Sequence, residues 1–361
     1  MTEVDLYNLS PTLRLLGMGV LIALLPLVWT LYSNRRNSVN SKLRAITVLT
    51  LFLTFDLVLF GSFTRLTDSG LGCPDWPGCY GHLVGVPDEA HEVAKAAQAF
   101  PGQTVHTGKA WKEMIHRYAA GALGLLVLAI AVSAWHRQRA WASAENGLLA
   151  LIVVQAALGM WTVTLLLKPV IVTLHLLGGM ATWAMLLLLL RREGQARATL
   201  PALGRVALAI VFAQIALGGW VSSNYAALAC LEFPACRNGE WWPKVSASDF
   251  GHGFTLLREL GATAAGESLP AAALTAIHLT HRVGALIVLL VVGFWALHLL
   301  RSGSRAGLFV MAVLVLQITL GISNVLFSLP LPVAVLHNLG AAGLIAALVF
   351  SAPVSPSRPA S

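Results

Sequence analysis

The sequence predicts an all-α membrane protein of about nine spans, built as two four-helix bundles plus one extra N-terminal helix. Composition, span length and an internal repeat each point there. Hydrophobic residues make up 57% of the 361 and charged residues 11%, with a mean hydropathy of +0.74. Soluble domains carry roughly 25% charged residues, so this chain has too little polar surface to cover itself in water. The same composition excludes disordered, collagen-like and disulfide-dense miniprotein classes. A net charge of +8 and a pI near 9.7 do not signal nucleic acid. The basic residues sit in short loops between apolar spans, where they report membrane orientation.

Crossing the hydrocarbon takes about 20 apolar residues in a helix. Stretches of that kind fall at about 13–32, 44–63, 113–135, 146–167, 170–190, 204–221, 274–300, 306–327 and 332–351. The first follows an acidic flank, MTEVDLYNLSPTLR, and precedes Arg35 and Arg36, so it reads as a retained span rather than a cleavable signal. Spans this long and continuously apolar leave no room for a barrel. The segment 87–99 (PDEAHEVAKAAQA) reads as a short amphipathic surface helix.

Orientation follows from the loops. Segments 33–44, 136–145, 191–205, 301–305 and the C-terminal tail hold Arg35, Arg36, Lys42, Arg44, Arg137, Arg139, Arg191, Arg192, Arg197, Arg205, Arg301, Arg305 and Arg358 against only Glu145 and Glu193. Lys/Arg excess marks the cytoplasmic side, so the N-terminus and the long loops 64–112 and 222–273 are expected outside and the C-terminus inside. Each long loop carries a cysteine pair, Cys73 with Cys79 and Cys230 with Cys236. On an oxidising face these read as disulfides; a metal site is the rival reading, and no CxxC spacing supports it.

The repeat is the most informative feature. GSFTRLTDSGLGCPDWPGC (61–79) aligns without gaps on GGWVSSNYAALACLEFPAC (218–236), an offset of 157. IHR (115–117) matches THR (280–282), QAALG (155–159) matches QITLG (317–321), and HLLGG (175–179) matches HNLGA (337–341). A further QIALG lies at 214–218. The expected organisation is an extra helix and cytoplasmic loop over 1–43, a first four-helix unit over 44–191, a linker over 192–203, a second unit over 204–351 and a tail over 352–361. Both units start inside, so a pseudo-two-fold along the membrane normal is expected to relate them.

Of the eleven histidines, His82, His91, His106 and His252 fall in outer loops and His136 and His298 near inner helix ends, where surface roles suffice. His116, His175, His281 and His337 fall inside the outer ends of apolar helices, one from the second and one from the fourth helix of each unit. An ionisable residue inside a membrane defaults to a functional reading; a helix–helix hydrogen bond is the structural one. Repetition favours function, since facing histidines in a four-helix bundle hold a heme iron by two imidazoles. Gly121, Gly178, Gly179, Gly284 and Gly340 lie near enough in sequence to admit a flat macrocycle. No Cys-x-x-Cys-His attaches it covalently. Arg117 and Arg282 either neutralise heme propionates or snorkel to headgroups.

The informative feature is where the repeat breaks. Three residues before His116 stands Glu113; three before His281 stands His278. Positions i and i+3 share a helix face, and a carboxylate beside one heme only suits a catalyst that needs a proton acceptor. This assigns chemistry to the first unit and electron transfer or structure to the second. The competing reading pairs Glu113 with Lys112, Lys109 or Arg117. Asp56, mid-span in the second helix, either serves a proton path or bonds Gln155 or a threonine.

At TRLTDSGLGCPDWPGCYG (64–81), EMIHR (113–117), HLLGG, THR and HNLGA, the chain resembles the heme A synthase family over roughly residues 44–351. The resemblance implies a membrane oxidoreductase that converts heme O to heme A for terminal oxidases, by successive hydroxylations of the ring D methyl group and loss of water. It implies that His116 and His175 flank the substrate heme iron, that Glu113 is the essential carboxylate, and that His281 and His337 ligate a heme b cofactor. It also implies outer-loop disulfides Cys73–Cys79 and Cys230–Cys236. Heme O would arrive through the bilayer from heme O synthase, in a bacterial inner membrane with both heme sites near the outer face. The electron acceptor and a homo-oligomer stay open. Two features depart from the family pattern: the extra span 13–32 and the length of loops 82–112 and 237–273. A diheme b-type electron carrier without substrate heme is the alternative. A heme transporter fits less well, because the four histidines cluster near one face.

Overall fold

The computed structural model describes residues 10–135, 142–193 and 200–351. Arg137, Arg139, Arg197, Arg358, His136 and the tail 352–361, all used above, lie outside the described residues. Among the described residues the chain is helical, with isolated bridges but no strands. The long helices are α1 (Ser10–Ser33), α2 (Val39–Leu66), α4 (Thr107–Trp135), α5 (Ala142–Thr164), α6 (Pro169–Glu193), α7 (Ala202–Ser223), α9 (Ala271–Arg301), α10 (Ala306–Leu326) and α11 (Leu331–Phe350). Each contains a stretch long and apolar enough to cross a membrane. The protein is therefore a multi-pass membrane protein, with the spans where the sequence places them.

Prolines set several starts. Pro169 opens α6, and Pro201, Pro270 and Pro330 stand just before α7, α9 and α11, where a missing N–H costs nothing. α4 and α9 begin earlier than the apolar pattern suggests, at Thr107 and Ala271 rather than 113 and 274. Lys109 and Lys112 lower the hydropathy of the first turns of α4 without breaking the helix. His116 therefore lies about two and a half turns into α4.

Two short helices sit in the long loops. α3 (Ala90–Ala99) is the expected amphipathic helix, with Glu92 accepting hydrogen bonds from the Asp88 and Glu89 N–H groups. α8 (Ala247–Phe254) has a capping box in which the Ser246 side chain accepts from Asp249 N and Asp249 accepts from Ser246 N. The Ser246 hydroxyl and N–H hold the Asp249 carboxyl below its ordinary range. A depressed acid stabilises the cap above its unfolded value, about pH 4, and the contribution is lost as pH falls through the folded value. Cleavage within α8 by an acid-active protease is expected to accelerate on acidification, and Asp249→Asn to remove most of that pH dependence.

The helices group into two compact units, Met1–Leu166 and Leu167–Ser361. In the first, α1 packs on α4 and α2, and α4 on α2 and α5. In the second, α9 packs on α7, α8 and α10, and α11 on α10, α6 and α7. The sequence repeat counts α6 with the first unit; by packing it groups with α7 and α11.

The extra helix α1 has a visible structural task. A Cβ on Gly19 would lie 2.7 Å from the Gly121 carbonyl carbon, so α1 and α4 touch backbone to backbone, as small residues allow in membranes. Higher up, Leu15 joins Cys73, Cys79, Tyr80, Val86, Met114 and Tyr118 in one buried cluster. α1 thus braces the first cysteine loop against α4. Gly19→Val is expected to push the two helices apart and expose α1 to limited proteolysis.

Candidate functional site

Both cysteine pairs are disulfides, Cys73–Cys79 and Cys230–Cys236, and all four residues are fully buried. The two loops they close share local structure. Asp75 accepts from the N–H groups of Tyr80 (2.6 Å) and Gly81 (2.9 Å); Glu232 accepts from Asn238 (2.9 Å) and Gly239 (3.0 Å). In both loops a cis proline follows an aromatic residue, at Trp76–Pro77 and Phe233–Pro234. Left-handed residues recur as well, at Asp68 and Tyr225, Tyr80 and Asn238, and Leu166–Leu167 and Ser328–Leu329.

The arginines next to the site histidines hold these loops. Arg117 Nη1 donates to the carbonyls of Asp75 (3.0 Å), Pro77 (3.3 Å) and Gly78 (2.5 Å). Arg282 donates to Glu232 (2.7 Å), Pro234 (3.4 Å) and Ala235 (2.9 Å), the same three positions at the offset of 157. Neither sequence reading, propionate or headgroup, describes these bonds. The signal available was the gapless loop alignment followed by an arginine in each unit.

Glu113 and His278 tie the loops in different ways. Glu113 is buried at 5% exposure, its Oε2 accepts from Cys73 N at 2.8 Å, and its Oε1 pairs with the buried Arg117 Nη2. Of the three partners weighed from sequence, Arg117 is the one the structure shows. His278, equally buried, donates from Nδ1 to the Ala226 carbonyl at 3.0 Å. Unit one thus holds a carboxylate and unit two a neutral-capable imidazole on otherwise similar frames.

The site histidines sit over glycines of neighbouring helices. Cε1 of His116 lies 3.0 Å from where a Cβ on Gly61 would be; the distances are 3.2 Å for His281 on Gly218 and 3.1 Å for His337 on Gly321. These are not the glycines singled out from sequence. Gly121 packs on α1, no side chain lies within reach of a Cβ on Gly179, and Gly284 and Gly340 receive the amide oxygens of Gln214 and Gln317. Phe60 stacks on His116, with ring centroids 6.4 Å apart. His281 and His337 stand on α9 and α11, both in the second compact unit. His175 stands on α6.

The remaining expected residues scatter. Asp56 is exposed on α2, on the face that carries Phe52, and Gln155 Nε2 has no hydrogen-bond partner among the described residues, so an Asp56–Gln155 bond through that nitrogen does not form. His91 pairs with Glu89 at 3.2 Å on the surface, and His298 stacks on Trp295.

Among the described residues, nine apolar helices, two disulfide-closed loops fastened by arginine, and histidines seated on glycines define a multi-pass membrane protein with imidazole sites near its cysteine loops. The chain matches the COX15-CtaA family, described as cytochrome oxidase assembly protein, over residues 44–349, and it belongs to that family. It is 43% identical to a heme A synthase of Shewanella oneidensis over 311 residues, 83% of this chain and 93% of that one. It is similar at 28% identity over 339 residues to a heme A synthase of Novosphingobium aromaticivorans, covering 85% and 93% of the two chains. A heme A synthase of Rhizorhabdus wittichii is 26% identical over 331 residues, 83% and 90% of the two.

Proposed function

We propose that this chain is a heme A synthase, which oxidises the ring D methyl group of heme O to a formyl group. The observation that carries the reading is a break in the repeat: Glu113 where the second unit has His278, on matching loops and beside matching histidines. The names of its relatives support the same activity.

In this reading His281 and His337 hold heme b. The fit rests on two partly buried imidazoles, each over a glycine that leaves room beside the ring. Bound there, heme b supplies a one-electron relay. Arg282 Nε, buried and without an acceptor among the described residues, is left for an acid group such as a propionate. By the repeat, His116 and His175 hold the substrate, heme O. Cys73–Cys79 and Cys230–Cys236 keep the loops closed, with the cysteine loops outside and the N-terminus outside in a bacterial inner membrane.

Glu113 is the proton acceptor. Each hydroxylation of a methyl carbon by water releases two protons and two electrons. The electrons go to an external electron acceptor, and a buried carboxylate fixed at both oxygens, by Arg117 and Cys73 N–H, offers the protons a placed base without rearrangement. Arg117 holds that carboxylate and the loop carbonyls with one guanidinium, so base and disulfide loop move together. The long apolar faces of the helices suit an isoprenoid substrate delivered within the bilayer.

Membranes expressing the chain with a heme O source test this directly. Chromatography of extracted pigment is expected to show heme A with the source and none without it. Heme B alone under both conditions would leave a diheme electron carrier.

A further inference from the structure

One feature of the second unit has no part in the function proposed above. The Gln214 Nε2 lies 3.0 Å from His281 Nδ1, 3.5 Å from His281 Nε2 and 2.9 Å from the His281 carbonyl. Its other end, Oε1, is buried, has no hydrogen-bond donor among the described residues, and fills the place a Cβ on Gly284 would take. Gly284 is three residues after His281, and Gly218, which seats the ring, is four after Gln214. Gln317 repeats the placement in α10 and α11: its buried Oε1 fills the Cβ place of Gly340, three after His337, while Gly321 seats that ring. Glutamine and glycine are therefore required together, because an alanine at 284 or 340 would overlap the amide. The first unit carries another pair at this register, Leu57 for Gln214 and Ala119 for Gly284.

We infer that Gln214 is a positioning residue for His281, fixing the imidazole through its Nδ1 edge so that Nε2 is the nitrogen presented to a heme iron, and that Gln317, whose Oε1 likewise lacks a donor, is the acceptor available to His337. This rests on the reading of His281 and His337 as heme ligands. The amide suits the task because it carries both a donor and an acceptor. An iron-free ring accepts from Nε2 of the glutamine at Nδ1. A ring that ligates through Nε2 carries its proton on Nδ1, and the partnerless Oε1 is the acceptor that a turn of the amide brings to it, at the cost of the bond from Gln214 Nε2 to the His281 carbonyl. Such a bond fixes tautomer and ring plane. A leucine fills the space and can do neither.

The test uses the whole protein purified with its hemes and the variant Gln214→Leu/Gly284→Ala, which copies into the second unit the pair that the first unit already packs. Heme content, the low-spin electron paramagnetic resonance line, the midpoint potential, and the rate of heme loss to an excess of apomyoglobin are measured per folded protein. The double variant is expected to bind heme with a broadened line, a shifted potential and about tenfold faster loss, the scale at which outer-shell partners act on metal sites. Gln317→Leu/Gly340→Ala is expected to behave alike and serves if the first variant does not accumulate. Unchanged line, potential and loss rate in a folded variant would overturn the inference and leave the heme reading intact. A wild-type protein that takes up no heme would overturn both.

Discussion

Glu113→Gln is expected to abolish conversion of heme O while leaving the chain folded and its hemes bound. The substitution keeps the shape and leaves a carbonyl to accept from Cys73 N–H, which Glu113 Oε2 does at 2.8 Å. It removes the charge facing Arg117 and the capacity to take a proton. Loss of a placed general base costs about 10²–10⁴ in rate, so turnover should fall by that factor with substrate heme still retained. Single-turnover conversion in detergent, with heme content measured alongside, separates the two effects. Loss of heme together with activity would make Glu113 a structural residue of the loop.

Arg117→Ala is expected to have the largest effect on stability. Arg117 and Glu113 are each below 10% exposed, and Arg117 also donates to three loop carbonyls. Removing one partner of a buried pair leaves an uncompensated charge, at a cost of about 3–5 kcal/mol. Arg282 makes the same carbonyl bonds at positions offset by 157, but the residue at Glu113's place there is His278, and the Arg282 side chain is half-buried. Arg282→Ala should therefore lose only the smaller amount set by unmade hydrogen bonds, about 1–3 kcal/mol. Thermal midpoints of the two variants in the same detergent check the order; equal losses would mean that the ion pair adds nothing beyond the carbonyl clamp.

The spans were legible because hydropathy and length leave a membrane helix few alternatives, and prolines at 169, 201, 270 and 330 mark their starts. The histidines and Glu113 were legible because ionisable residues stand out against apolar helices and the repeat aligns them. The arginine clamps were not, since their acceptors are backbone carbonyls displayed by a loop whose course is set by a disulfide, an acid-capped turn and left-handed residues. No side-chain pattern encodes those acceptors. The glycines show the same limit: Gly284 and Gly340 looked like room for a macrocycle, yet glutamine amides occupy that room and the rings sit on Gly218 and Gly321. α8 carried a readable signal, Ser246 followed at N3 by Asp249, inside a loop with no apolar run to draw attention to it.

Two similar frames are proposed to divide the work, with chemistry at Glu113 and none at His278. Pigment extracted from membranes that express wild type, Glu113→Gln or His278→Asn beside a heme O source tests it most directly, each sample normalised to folded protein. Heme A is expected in wild type and His278→Asn, with only heme O or a hydroxylated intermediate in Glu113→Gln. Equal yields of heme A from both variants, or its absence from all three samples, would contradict the account.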